Sequence, residues 1–313
     1  MVKSLGHELL ERECFVAMKL KKDELGLYNS EKSSNFAAIM EFSVLTYRLR
    51  SWLKFHLTAW NTGGEGVHSP YLFEWVRMVM SDKHSFYGWS AIEECRRDMM
   101  RDDRELSFVD YGSGANGAKG KESIRRVCDI ARGSLTKRRY AQMLSRLVNW
   151  LGGQFRDRDK GLTIVEFGTS LGITTSYLAM VDHRDRVVTC EGCESVADIA
   201  RTNWSHLGLQ NIDCRVGEIG KSVLIDDIER IDIAYLDADH TYASTRDFFN
   251  MLALKAHEKT VIVVDDIHHS AEMERAWKEI CADERVSSTM DLYQMGMVFF
   301  DKHYWRRNYK LRL

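Results

Sequence analysis

One segment, residues 163–175, combines a short apolar run, two glycines and the start of a helix. Residues 163–167 are mostly β-branched or aromatic, which favours a covered strand. Gly168 and Gly172 follow, and glycines permit a tight turn that a ligand can approach closely. A strand–turn–helix of this kind directs unpaired backbone N–H groups and the positive end of a helix dipole at one place. The segment therefore predicts an α/β fold that binds a nucleotide-like or carboxylate-bearing ligand.

The spacing of the glycines and the residue before them narrow the type of ligand. The spacing is G-x-x-x-G and differs from the G-x-G-x-x-G of dinucleotide-binding proteins. Glu166 precedes the first glycine, and its negative charge suits a ligand with an ammonium group better than a pyrophosphate. A turn with a purely structural role is the alternative at this point.

The turn resembles the first motif of the class I S-adenosylmethionine-dependent methyltransferases, which has the form E/D-x-G-x-x-x-G. The resemblance extends over residues 151–313 and, through the segment that leads into the domain, over residues 41–150. It implies that S-adenosylmethionine is the cofactor. The residues that it implies as cofactor contacts in this motif are Glu166, Gly168, Thr169, Ser170 and Gly172.

The second strand supplies the next acidic residue of the motif series. Residues 186–190 form this strand, which ends at Glu191, about 20 residues after the glycine turn. A carboxylate there can accept hydrogen bonds from two hydroxyl groups, and the resemblance implies that Glu191 binds the ribose. The third strand leads to Gly217 and Glu218, which the resemblance places against the adenine. An exposed loop glutamate without a ligand is the alternative for Glu191.

Two further apolar runs, residues 231–236 and 260–264, each end in carboxylates. Nearly continuous apolar runs are typical of parallel strands covered on both faces, and α/β sheets bind ligands beyond the carboxyl ends of such strands. The first run ends in Asp237, and the second ends in Asp265 and Asp266. We therefore predict that four strand ends surround one crevice, those at Gly168, Glu191, Asp237 and Asp265.

Three interpretations of these carboxylates are open from the sequence. In the first, the resemblance to catechol and caffeoyl-CoA O-methyltransferases implies that Asp237, Asp265 and Asp266 bind Mg²⁺, which would lower the pKa of a substrate hydroxyl. In the second there is no metal, Asp237 contacts the methionine end of the cofactor, and His240 or His268 is the general base. In the third, the two later aspartates only cap the helix that follows. Asp237 and His240 are thus the catalytic candidates.

The chain divides by its pattern into three parts. Residues 1–40 are charged and serine-rich, and we expect a poorly ordered or helical extension. Residues 41–150 carry amphipathic helical patterns and are expected to form a mainly helical cap over the substrate region. Residues 151–313 are the expected catalytic domain. A second glycine loop, Asp110–Gly114, is interpreted as a loop near the cleft, with a substrate contact by its aspartate as the alternative.

Composition agrees with an ordinary globular enzyme. Hydrophobic residues make up 44% of the chain, the formal net charge is −2, and no apolar run is long enough to span a bilayer. Seven scattered cysteines favour free thiols in a reducing compartment, so we expect a cytoplasmic location. The basic surplus of residues 1–160 is modest, which disfavours a nucleic-acid partner. The expected partners are a small-molecule substrate and, as one option for assembly, a second copy in a homodimer.

These features together predict a Rossmann-like, doubly wound sheet of seven strands, mostly parallel with a reversed C-terminal strand, and a helical N-terminal cap. The resemblance implies methyl transfer from S-adenosylmethionine to an oxygen of a small hydroxylated substrate, with Mg²⁺ as an optional aid. The alternatives are metal-independent N-methylation of a small molecule or macromolecule and, from other classes, an NAD-dependent oxidoreductase or a catalytically silent cofactor-binding module.

Overall fold

The computed structural model describes residues 46–59, 66–110, 121–155, 160–218, 225–303 and 306–313. The expected extension, residues 1–40, and most of the Asp110–Gly114 loop lie outside these residues. The contacts divide the chain into one unit that ends at Leu49 and a second unit, Arg50–Leu313. All contacts described below lie within the second unit.

The first part of this unit is mainly helical. Its elements are α1 (residues 50–58, the part in this unit of a helix over residues 46–58), α2 (Pro70–Trp75, followed by a π-helical turn, Val76–Met80), α3 (Trp89–Met99), β1 (Glu105–Asp110), β2 (Lys121–Arg126), α4 (Val127–Ser134) and α5 (Arg138–Phe155). β1 and β2 pair antiparallel over six residues each. This hairpin was not predicted, because β2 carries four charged residues and a single apolar one, Ile124, and gives no apolar run.

The rest of the unit alternates strands and helices. The strands are β3 (Thr163–Phe167), β4 (Arg186–Glu191), β5 (Ile212–Val216), β6 (Ile231–Leu236), β7 (Ala256–Asp265), β8 (Ser288–Asp291), β9 (Met295–Phe299) and β10 (Arg307–Lys310). The helices are α6 (Ile173–Ala179), α7 (Glu194–His206), α8 (Tyr242–Ala253) and α9 (Ala271–Ala282). None of the helices in the described residues combines the length and the apolar composition needed to cross a bilayer.

The strands form one eight-stranded sheet in the order β10–β8–β9–β7–β6–β3–β4–β5. β9 runs antiparallel to both of its neighbours, and every other pair is parallel. The predicted Rossmann-like α/β fold with a reversed strand is thus confirmed. The eighth strand is β10, whose four residues are mostly polar and give no apolar run to detect.

Both faces of the sheet are covered. Successive residues of its central strands point to opposite faces, so each strand contributes to two buried clusters. Ile164 and Ile233 belong to a buried cluster with Leu147 of α5, whereas Val165 belongs to a second cluster with Phe248 of α8. Helix α5 therefore packs against the sheet and forms part of its covering layer.

The pairing register brings the carboxyl ends of the central strands to one edge. Phe167 of β3 pairs with Cys190 of β4 and with Leu236 of β6, and Leu236 pairs with Val264 of β7. The next residue of each strand therefore lies at the same level. Those four residues are Gly168, Glu191, Asp237 and Asp265.

Candidate functional site

A cavity of about 740 Å³ opens at this edge of the sheet, within the usual size range of small-molecule sites. Its walls come from the strand ends on one side and from residues within 96–109 and 125–137 on the other. The sequence-predicted site residues that line it are Gly168, Ser170, Glu191, Glu218, Asp237, His240, Asp265 and Asp266. The structure therefore brings the four predicted strand ends together around one space.

The backbone of the glycine turn lies directly against the end of β6. Gly168 has φ +100°, and its N–H donates to the Cys190 carbonyl at 3.0 Å. A Cβ atom at Gly168 would lie 2.0 Å from the carbonyl oxygen of Asp237. The N–H of Asp237 donates in turn to the Phe167 carbonyl at 2.8 Å, so neither segment can move away freely.

Four of the predicted cofactor residues do not line the cavity but lie in the structure that supports its wall. They are Glu166, Thr169, Gly172 and Gly217. Glu166 accepts hydrogen bonds from the hydroxyls of Thr175 (2.5 Å) and Thr189 (2.7 Å). Thr169 is buried, and its hydroxyl lies 2.5 Å from that of Thr189. The side chains of Glu166 and Thr169 therefore point into the interior and away from the cavity.

The two glycines of this set have packing roles. Gly172 has φ +76°, and a Cβ there would lie 2.6 Å from the indole nitrogen of Trp204, which donates to the Gly172 carbonyl at 2.9 Å. The N–H of Gly217 donates to the Glu191 carbonyl at 2.9 Å. The absence of a side chain at Gly172 thus lets the start of α6 pack closely against α7. The N–H of Gly217 fixes the backbone at the end of β4.

Replacing Glu166 by Gln should remove a pH dependence of stability. Burial raises the pKa of Glu166 to about 8, although the hydroxyls of Thr175 and Thr189 oppose this. Because the folded pKa lies above the ordinary value of 4.5, the wild type loses stability relative to Glu166→Gln as pH rises from 4.5 to 8. Urea denaturation of both proteins at pH 5 and pH 8.5 measures the difference between their free energies of unfolding. We expect this difference to shift in favour of Glu166→Gln by about 1 kcal/mol or more between the two pH values. A constant difference would contradict a buried, neutral Glu166.

The Glu191 carboxylate is held in a fixed orientation at the cavity. One oxygen accepts the Ser170 N–H at 2.8 Å and the other accepts the Cys193 N–H at 3.0 Å. Burial raises the pKa of Glu191, although backbone N–H bonds oppose the effect. Each of the two Glu191 oxygens can accept a further hydrogen bond. The carboxylate therefore suits a ligand with two neighbouring hydroxyl groups.

A buried phenol joins the carboxylates of β6 and β7. The Tyr235 hydroxyl lies 2.8 Å from Asp265 Oδ2, 3.1 Å from Asp237 Oδ2 and 3.1 Å from Thr136 Oγ1. Burial and the charges of Asp237 and Asp266 raise the pKa of Asp265 well above its ordinary value. Tyr235 holds the Asp265 carboxyl in place beside Asp237. The sequence did not indicate this role, because Tyr235 lies within an apolar strand pattern.

His240 is a cation in this site. Its Nε2 lies 3.3 Å from Asp237 Oδ1. Burial lowers its pKa, but the hydrogen bond to Asp237 and the charges of Asp237, Asp266 and Asp265 outweigh this and raise the pKa to about 9. A protonated imidazole has no lone pair to accept a proton. The free protein therefore presents His240 at pH 7 as a positive charge beside Asp237.

Replacing His240 by Gln should remove stability at neutral pH and leave the protein unaffected at alkaline pH. Because the folded pKa is raised from 6.5 to about 9, the stability that His240 gains from its carboxylate neighbours is fully present below pH 6.5 and lost as pH rises through 9. The unfolding midpoints of wild type and His240→Gln are therefore expected to converge between pH 6.5 and about 9.5. Parallel pH profiles would show that His240 is neutral when folded.

The second predicted base, His268, lies elsewhere, which corrects that assignment. Its Nε2 is 2.9 Å from Asp291 Oδ2, and its ring stacks on Tyr293 at 5.2 Å beside Phe55. His269 Nδ1 lies 3.4 Å from Asp266 Oδ2. Since His268 turns into an aromatic cluster formed with α1, only His240 of the two predicted bases lines the cavity.

The capping interpretation of the aspartate pair is also wrong. Helix α9 begins at Ala271, and its N-cap is Ser270, whose hydroxyl accepts the Met273 N–H at 3.2 Å. Asp265 and Asp266 lie before this cap and belong to the cavity wall.

The predicted Mg²⁺ site is not supported by the side-chain arrangement. Within the described ranges, no group of three or more His, Cys, Asp or Glu side chains is placed to hold a metal ion. Asp265 is engaged by Tyr235 and by the Asp266 N–H at 2.9 Å, while Asp266 accepts the Gln294 amide at 3.0 Å. Asp237, Asp265 and Asp266 therefore do not fit Mg²⁺ as a set, and no step below depends on it.

Sequence reasoning missed the wall formed by the segment after α4. The hydroxyls of Ser134 and Ser170 are 2.6 Å apart, and Thr136 Oγ1 accepts the Thr174 hydroxyl at 3.0 Å. The buried Arg96 donates to the Thr136 carbonyl at 2.9 Å. These bonds hold the segment against the glycine turn. Its only sequence signal is the Gly133–Ser134 pair that ends an amphipathic helix.

One family model matches the central part of this chain. Residues 165–267, from β3 to just past β7, match the family model described as a methyltransferase domain. No curated protein matches the chain.

Solved structures resemble part of the chain. An O-methyltransferase from Bacillus cereus in complex with S-adenosylhomocysteine is 23% identical, with 53% of this chain and 83% of that chain covered and a TM-score of 0.43. The O-methyltransferase TomG of tomaymycin synthesis from Streptomyces achromogenes, in complex with S-adenosylmethionine, is 16% identical over 53% and 82%, with a TM-score of 0.43. A putative caffeoyl-CoA O-methyltransferase from Staphylococcus aureus is 12% identical over 53% and 85%, with a TM-score of 0.46.

Proposed function

We propose that this chain, which carries a class I methyltransferase domain, transfers the methyl group of S-adenosylmethionine to an oxygen of a small hydroxylated molecule. The observation that carries the proposal is the meeting of four strand ends, at Gly168, Glu191, Asp237 and Asp265, around one cavity. Each end offers a group that one part of this cofactor requires.

The residues fit the cofactor by charge and by shape. Glu191, oriented by two backbone N–H groups, is assigned to the ribose hydroxyls. Carboxylates of Glu191, Glu218, Asp237 and Asp239 line the cavity and favour a ligand with a sulfonium and an ammonium group. Gly168 lines the cavity, and its lack of a side chain lets the turn lie against the Asp237 carbonyl. When bound, the cofactor supplies a methyl group that is already activated for transfer.

Asp237 and His240 are assigned to the acceptor. Asp237 Oδ1 faces His240, and the positive charge of His240 attracts a hydroxyl oxygen that is losing its proton. Asp237 accepts that proton as the new carbon–oxygen bond forms and the carbon–sulfur bond breaks. Positioning of the two reactants in the cavity accounts for most of the expected rate enhancement.

A methyl-transfer assay tests the proposal. The protein is incubated with methyl-labelled S-adenosylmethionine and with matched phenol and aniline acceptors, with EDTA or with Mg²⁺. We expect label on the phenol oxygen and similar rates in EDTA. Label on the aniline nitrogen alone would favour N-methylation. A rate that requires Mg²⁺ would support the metal-dependent interpretation instead. Binding of NAD in preference to S-adenosylmethionine would point to an oxidoreductase, and cofactor binding without turnover to a silent module.

A further inference from the structure

The β1–β2 hairpin forms a cavity wall to which the proposed function gives no role. Phe108, Val109 and Arg125 of the hairpin line the cavity together with Glu191. We propose that the hairpin is part of the cofactor site and that the Phe108 ring stacks on the adenine. This inference rests on the proposed function, because it takes Glu191 as the residue that binds the ribose.

The hairpin is fixed to the end of β4 by its own contacts. An isolated two-stranded sheet is at best marginally stable in water, so such anchors matter. The Ser195 hydroxyl donates to the Ser107 carbonyl at 2.5 Å, and the Val109 N–H donates to Cys193 Sγ at 3.5 Å. Both partners lie at the start of α7, two to four residues after Glu191.

An apolar cluster beneath the hairpin completes this anchor. The buried side chains of Leu171, Val196 and Ile199 form it, and Leu106 and Phe108 pack against it. Phe108 is half-buried and remains part of the cavity wall. These contacts hold the ring beside the start of α7, the helix that follows Glu191.

The register determines which side chains share the face of Phe108. Phe108 pairs with Ser123 and Leu106 pairs with Arg125, and directly paired residues point to the same side of a sheet. The guanidinium of Arg125 lies over the Phe108 ring, 4.6 Å from its centroid. Ile124 points to the opposite side and is 72% exposed.

The chemistry of this wall suits a purine. A ribose held at Glu191 places its base within a few ångströms of that carboxylate, where Phe108, Val109 and Val196 line the cavity. An aromatic ring stacks on a base without a specific hydrogen bond, and removing such a ring weakens binding by about tenfold or more. Phe108 is therefore assigned to the adenine.

Calorimetric titration of the full chain with S-adenosylmethionine and S-adenosylhomocysteine tests this inference. Phe108→Leu keeps an apolar side chain for the cluster but removes the ring, and we expect its affinity for both ligands to fall by about tenfold. Phe108→Tyr keeps the ring and should bind like the wild type. Ile124→Ala, on the other face of the same hairpin, is the matched control and should also bind like the wild type.

The two ligands separate an adenine contact from a contact with the charged sulfur. An equal loss for both supports the proposal, because both carry the same adenosine. A loss confined to S-adenosylmethionine, or no loss in Phe108→Leu, overturns it while the proposed function stands. If the wild type binds neither ligand, the proposed function itself fails. Thermal unfolding without ligand checks each variant, and Phe108→Met replaces Phe108→Leu if that variant does not fold.

Discussion

Replacing Gly168 by Ala should reduce the affinity for S-adenosylmethionine by at least tenfold and lower the free energy of unfolding by about 2 kcal/mol. The residue has φ +100°, which side chains rarely adopt, and the added Cβ would lie 2.0 Å from the Asp237 carbonyl. The turn must therefore move against the end of β6, which displaces both a wall of the cavity and Asp237. Calorimetric titration and urea denaturation measure the two effects.

Two other glycines provide matched controls for this substitution. Gly172→Ala creates a comparable clash, with Trp204 at 2.6 Å, but Gly172 does not line the cavity. It should lower stability while the folded fraction still binds the cofactor. Gly153 in α5 has no atom within 4 Å of an added Cβ, so Gly153→Ala should be neutral or stabilising. Equal loss of binding in Gly168→Ala and Gly172→Ala would mean that the turn acts only through stability.

Replacing Asp237 by Ala should reduce methyl transfer by at least about 100-fold, the scale of losing a proton acceptor in catalysis. The change removes the partner of His240 at 3.3 Å and one of the two carboxylates beside Tyr235. It should leave the fold intact, because Tyr235 keeps its bond to Asp265 at 2.8 Å. Transfer of labelled methyl groups to the best acceptor in the screen measures the effect.

The controls for Asp237 separate charge from shape. Asp237→Asn keeps the size of the side chain but cannot accept the proton as a carboxylate does, so we expect a loss close to that of the alanine variant. Asp247→Ala removes an exposed carboxylate on α8, outside the cavity wall, and should leave turnover unchanged. Undiminished turnover in Asp237→Ala would show that the site assignment is wrong.

The central part of the fold was predictable because burial on both faces produces continuous apolar strands. β6, apart from Asp232, and the second half of β7, residues 261–264, have this pattern, and each run is followed by carboxylates that mark the edge of the sheet. β2 was missed because Lys121–Arg126 carries four charged residues and Ile124 is exposed. Its stability comes from pairing with β1 and from α7, contacts between distant parts of the chain that no local pattern records.

The site was predictable in position more than in detail. The parallel register follows from the fold, and it alone places Gly168, Glu191 and Asp237 together. Which side chains reach the cavity depends on rotation along each strand, which explains why Glu166 faces the interior. The pKa of Asp265 is raised by burial and by the charges of Asp237 and Asp266, and that of His240 is raised by carboxylates from the ends of two strands. Such coupling cannot be read from spacing.

The most direct test of the central claim is a crystal structure of the protein with S-adenosylhomocysteine and a divalent cation. We expect the ribose hydroxyls within hydrogen-bonding distance of the Glu191 carboxylate, the sulfur between the Gly168 turn and Asp237, and no cation on the three aspartates. A nucleoside bound elsewhere, or a cavity closed by side chains in a crystal grown with saturating ligand, would contradict the account.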